Sequence, residues 1–174
     1  MSLLIFAYRK QEIIRRKNEL NFKLLELEKH LMDLHSYSTS ISDGTVSVND
    51  LIHAPASMFN RMSIFAMYSN QSAMAGAREN FGKMQASGML NQMMASVKPE
   101  EQNAYKQMVM ANLYKQGREE FSKKEEKILN EQDTKIQQQK AKLETQLKML
   151  DSEEEKVTKA EDDAAKKAAP GYVA

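Results

Sequence analysis

The chain has 174 residues, with 25 basic and 24 acidic side chains for a net charge of +1, no Cys, no Trp, three Pro, six Gly and thirteen Met. The absence of cysteine excludes a disulfide framework, thiol catalysis and cysteine-ligated zinc or iron–sulfur chemistry. The near-neutral charge argues against bulk electrostatic binding to nucleic acid. No apolar run approaches the roughly 20 residues that a membrane-spanning helix needs.

Charge divides the chain into three parts. Residues 1–36 and 98–174 are densely charged, whereas residues 37–97 carry only Arg61, Arg78, Lys83, Asp43, Asp50 and Glu79. Ten of the thirteen Met lie between Met58 and Met110. The expected organisation is an N-terminal coiled-coil helix over 1–36, a low-charge Met-rich helical middle over 37–97, a long C-terminal helix over 98–168 and a flexible tail over 169–174.

In the first segment Leu3, Phe6, Ile13, Leu20, Leu24, Leu27, Leu31 and Leu34 occupy a and d of one heptad frame, with every d apolar. That is the pattern of a coiled-coil seam. Lys10 and Lys17 interrupt the a row; lysine there weakens the seam but can set register, its stem covering apolar surface. The apolar opening Leu3-Leu4-Ile5-Phe6-Ala7 reads as the first helical turn. It is too short for a signal peptide, follows no basic stretch and precedes no small-residue cleavage site. Arg9, Lys10, Arg15, Arg16 and Lys17 suggest membrane-surface contact, but Glu12 and Glu19 dilute them, so this reading ranks low.

The run Ser36-Tyr37-Ser38-Thr39-Ser40 predicts the end of the helix, because Ser and Thr compete for backbone hydrogen bonds. Asp43-Gly44 is a turn signal, and Thr45–Val48 would suit a short strand, though without a partner strand. Ser47 followed by Asp50 predicts a capping box and a short helix that Pro55 ends or restarts. The acidic loop 43–50 lacks EF-hand spacing. From 56 to 95 the chain is helix-compatible, but Gly76, Gly82 and Gly88 predict one or two kinked helices.

Lys98-Pro99-Glu100-Glu101 predicts a helix start. From there an apolar stripe runs through Met110, Leu113 or Tyr114, Gly117, Phe121 and Ile128. It slips one residue to Leu129 and continues through Ile136, Leu143, Leu147, Leu150, Val157 and Ala164. Repeated Glu-to-Lys pairs four apart, such as Glu119–Lys123 and Glu144–Lys148, support an exposed helix. Ala169-Pro170-Gly171 ends it.

No nucleotide-binding, metalloprotease or nucleophile-elbow motif occurs. His30, Asp33 and His35 lack helical metal-ligand spacing, and His53 stands alone. The sequence therefore predicts no catalytic residue, metal ligand or cofactor site. The fold expected is all-α: an elongated antiparallel helical hairpin or coiled coil with a long C-terminal helix and a Met-rich helical middle. Two or three helices build little core on their own, which favours a homo-oligomer. Met62, Phe65, Met67, Met74, Phe81 and Met89 are the expected contact set for self-association or a partner helix. Leu20, Leu24, Leu27, Leu31, Leu34, Leu143, Leu147 and Leu150 are the expected seam.

In layout the chain resembles exported bacterial filament subunits such as flagellins and type III secretion filament proteins: no Cys or Trp, long terminal helices, and Gln/Asn richness as at Gln137-Gln138-Gln139. It departs from them in its Lys/Glu-rich C-terminal helix and in a middle that reads as buried, so no family is assigned. The function expected is a non-enzymatic structural coiled-coil protein that self-assembles, as a filament subunit or secretion-apparatus component. The alternatives are an adaptor or export chaperone presenting a Met-rich surface to a partner helix and, below that, a membrane-surface-active helical protein. Without a cleavable signal peptide or spanning helix, the location expected is the cytoplasm or export by a signal-peptide-independent route.

Overall fold

The computed structural model describes residues 3–42 and 44–168. The described residues form five helices and no strand: α1 (Leu3–Ile41), α2 (Val48–Ile52), α3 (Phe59–Ala86), α4 (Met89–Met94) and α5 (Gln102–Ala168). The fold is all-α. The expected turn residue Asp43 and the expected tail 169–174 lie outside the described residues. The chain divides into two compact units, one from Met1–Leu31 with Asp133–Ala174, the other from Met32–Gln132.

The first unit pairs α1 with the distal part of α5. Ion pairs set its direction: Lys10 reaches Glu161 at 4.0 Å, Lys17 reaches Glu154 at 2.8 Å, and Glu28 meets Lys140 at 3.0 Å. Partners descend along α5 as α1 ascends, so the helices are antiparallel. Every a or d position from Phe6 to Leu31 is buried or half-buried, and Ile13 is fully enclosed. The lysines at a behave as their chemistry demands. Lys17 lays its stem over the seam and turns its ammonium between Asp151 and Glu154.

The second unit holds the end of α1, helices α2 to α4 and the proximal part of α5. Here α1 runs past the Ser-rich stretch predicted to stop it and ends at Ile41. Two causes are visible. Thr39 and Ser40 donate their hydroxyls to the carbonyls of His35 and Ser36 within the helix, at 2.9 and 3.1 Å, so they do not unwind it. Leu34, Tyr37 and Ile41 are also buried, which continues the inward-facing frame for one more heptad. The exit is fixed from α5: Ser122 Oγ donates to the Ile41 carbonyl at 2.6 Å and Arg118 Nε to the Gly44 carbonyl at 2.9 Å. Gly44 has φ +72°, and a Cβ there would sit 3.1 Å from the Arg118 backbone, so both conformation and space require glycine.

Residues 45–47 form no strand. They lead into α2, whose capping box is present: Ser47 Oγ accepts from the Asp50 amide at 3.1 Å and Asp50 Oδ2 accepts from the Ser47 amide at 2.8 Å. Of the three glycines expected to disturb the middle, Gly88 alone interrupts it, at φ +74° between α3 and α4. Regular α5 begins at Gln102, four residues after the start expected. Pro99–Glu101 form a turn in which the Glu101 amide bonds the Lys98 carbonyl at 2.9 Å.

Helix α3 buries Met62, Phe65, Ser69, Ala73 and Ala77, spaced by three and four. The small residues in that row let α3 approach α5 closely. A Cβ added at Gly117 would lie 3.1 Å from Ala73 Cα. At one end of the row Tyr37, Phe65 and Phe121 stack edge-on and tilted, with centroids 6.3 and 5.5 Å apart. A second cluster gathers Leu90, Met94 and Val109, with Phe81, Met84, Tyr105 and Leu113 against it.

Candidate interaction surface

The residues expected to form one contact set divide between interior and surface. Met62 and Phe65 are enclosed within the chain and cannot serve as an interface in the folded state. Phe81 is half-buried against Leu90, Met94 and Val109. Met67, Met74 and Met89 are exposed. The correction has a physical cause: α3 carries only four charged side chains, Arg61, Arg78, Glu79 and Lys83, and large apolar residues stand on both its faces. One face goes inward and the other stays out.

The outward face of α3 presents Ile64 (54% exposed), Met67 (57%), Tyr68 (52%) and Met74 (40%). These positions are centred on the side of the helix opposite Met62, Phe65, Ser69, Ala73 and Ala77. Met89 and Met93, one turn apart on α4, are exposed as well. Ile64, Tyr68 and Met93 were not among the expected contact residues. Their signal in the sequence was spacing from Met67 and Met89, a second stripe offset by half a turn.

In the first unit the expected seam residues Leu20, Leu24, Leu27, Leu143, Leu147 and Leu150 are half-buried, and Leu31 is buried. Leu34, the last of the seam set, lies buried in the second unit. The seam leucines remain partly open to a groove of about 390 Å³ beside Leu20, Met149 and Leu150. A second groove of about 380 Å³ lies beside Leu27 and Leu143, and Lys23 and Gln146 edge both. Outside the seam, Leu4, Tyr8, Phe22 and Leu25 stand exposed on α1. The heptad frame marks them as outward, and their apolar character is the signal it passed over.

The most elaborate polar arrangement is structural in form. Tyr37 Oη donates to Glu125 Oε1 at 3.0 Å, Arg61 Nε donates to the same oxygen at 2.6 Å, and Arg61 Nη1 donates to Gln132 Oε1 at 2.7 Å. The guanidinium also lies 5.5 Å from the Tyr37 ring centroid. Burial, reinforced by the Glu125 carboxylate, pushes the Tyr37 phenol well above its ordinary pKa. In the first unit, hydrogen bonds to Asp151 and Glu154 hold the Lys17 ammonium above its usual value, and Glu153 does the same for Arg9.

Among the described residues, no group of three or more His, Asp or Glu is placed to hold a metal ion. No described helix is long and apolar enough to cross a membrane. What the geometry offers is surface: an apolar face on α3 and α4, and an open groove along the α1–α5 pair. Comparison with known protein families, with curated proteins and with solved structures finds no match to this chain.

Proposed function

We propose that this chain is a non-enzymatic structural protein that self-assembles, its helices packing against other copies as in a filament or secretion apparatus. The observation that carries the reading is the exposed row Ile64, Met67, Tyr68 and Met74 on α3. Water-exposed apolar rows of this kind gain free energy when a neighbour covers them. The surrounding segment, with six charged residues in positions 37–97, offers little to oppose dehydration. Methionine suits such a contact because its unbranched thioether adapts to irregular surfaces. That same adaptability supports a second reading, an adaptor that presents Met67, Met74, Met89 and Met93 to a partner helix.

Sedimentation velocity of the purified chain tests the proposal. The expected result is a species larger than a monomer whose size falls in the Ile64→Lys/Met67→Lys variant, with helix content by circular dichroism unchanged. A chain that stays monomeric at high concentration refutes self-assembly and leaves the adaptor reading.

A further inference from the structure

Helix α1 carries a row of charges along one side of the seam. Arg9, Glu12, Arg16, Glu19, Lys23 and Glu26 follow one another at steps of three and four, so they share one face, and their signs alternate without exception. The earlier members are engaged within the chain: Arg9 with Glu153 on α5 and with Glu12 at 3.2 Å, Arg16 with Glu12 at 2.6 Å and Glu19 with Arg15 at 3.1 Å. Lys23 and Glu26, both exposed, form no ion pair among the described residues.

An alternating row has a symmetry consequence. Read forward, Arg16, Glu19, Lys23 and Glu26 run plus, minus, plus, minus; read backward they run minus, plus, minus, plus. Laid antiparallel on a second copy of itself, the row sets Arg16 against Glu26 and Glu19 against Lys23, each twice. A parallel twofold pair has to be in register and sets like charge on like, so among twofold pairs the row favours the antiparallel one centred between Glu19 and Lys23.

The row also borders apolar surface. The groove lined by Leu20, Leu150 and Met149 opens on one side of it, and exposed Phe22 stands on the other. A twofold axis that pairs α1 antiparallel with its copy returns each side of the face to the same side of the partner. Groove then meets groove and Phe22 lies toward Phe22, an isologous contact in which charges set register and apolar surface supplies affinity.

We propose that this face of α1, with its adjoining groove, is the docking surface for a second copy of the chain in an antiparallel twofold dimer. The inference deepens the self-assembly reading and rests on it.

Charge exchange on the full chain tests it, made in the Ile64→Lys/Met67→Lys background so that contact through α3 does not contribute, and read by sedimentation equilibrium with circular dichroism as the folding control. Wild-type α1 in that background should dimerise, with a dissociation constant that rises with salt. Lys23→Glu should raise that constant about tenfold or more, because each substitution acts twice across a twofold. Glu19→Lys should do the same by an independent route. The double exchange Glu19→Lys/Lys23→Glu recreates opposite charges across the axis and should return the constant to within about threefold of wild type. Single variants that dimerise like wild type, or a double exchange that fails to recover, overturn this surface. Self-association that survives Lys23→Glu overturns the α1 contact while leaving self-assembly through α3 standing. A wild-type chain that is monomeric throughout overturns both.

Discussion

Replacing Phe65 by Ala separates interior from interface on α3 more sharply than any other single change. The ring is almost fully enclosed and touches Tyr37 edge-on and Phe121 at a tilt. Truncating a buried Phe to Ala costs about 3–5 kcal/mol through lost transfer energy and the cavity left behind. Two aromatic contacts disappear with the ring, each of about 0.5–1.5 kcal/mol, which places the expected loss in the upper half of that range. Domains commonly have only about 5–15 kcal/mol of stability, so the second unit should lose a large share of its own. Met67, two residues on and exposed, provides the internal control: Met67→Ala should stay within about 0.5 kcal/mol of wild type in a monomeric sample. Urea unfolding followed by circular dichroism, with sedimentation on the same samples, reads both quantities. If Phe65→Ala unfolds at the same urea concentration as Met67→Ala but loses self-association, Phe65 is an interface residue and the inward orientation of α3 is wrong.

Three further outcomes follow from the packing. Gly117→Val puts a branched side chain where even a Cβ meets Ala73 Cα at 3.1 Å, so thermal melting should show a loss of about 1–3 kcal/mol; a rise in melting temperature refutes the close approach of α3 and α5. Ile13→Asp buries a charge in the enclosed part of the α1–α5 seam and should cost several kcal/mol, roughly 3 or more, whereas Leu25→Asp on the exposed side should not; equal melting curves for the two refute the seam. For Tyr37 the folded state raises the phenol pKa, so its contribution to stability is complete below the unfolded value near pH 10 and disappears as pH climbs toward the folded value. Stability should therefore fall above about pH 10. Tyr37→Phe should flatten that fall, and an identical alkaline profile in the variant refutes the assignment.

The heptad frame from Phe6 to Leu34 was legible because it is a matter of local spacing. Once α1 is helical, residues at a and d share one stripe whatever they pack against. The Ser47–Asp50 cap was legible for the same reason, since its hydrogen bonds close within four residues. The one-residue slip at Ile128 and Leu129 was also present in the spacing; the structure buries Leu129 and leaves Ile128 exposed. The end of α1 was not legible. Ser36 to Ser40 has the composition of a stop, and burial of Tyr37 and Ile41 beneath α5, with Ser122 bonded to the Ile41 carbonyl, carries the helix past it. The orientation of α3 was likewise undetermined by sequence. Met62 and Met67 are chemically alike, and on a helix with large apolar residues on both faces, periodicity identifies two stripes but cannot choose the inner one. That choice belongs to tertiary packing: Ser69, Ala73 and Ala77 form the side that can approach Gly117 closely, so α3 turns that side to α5 and leaves Met67 and Met74 outside.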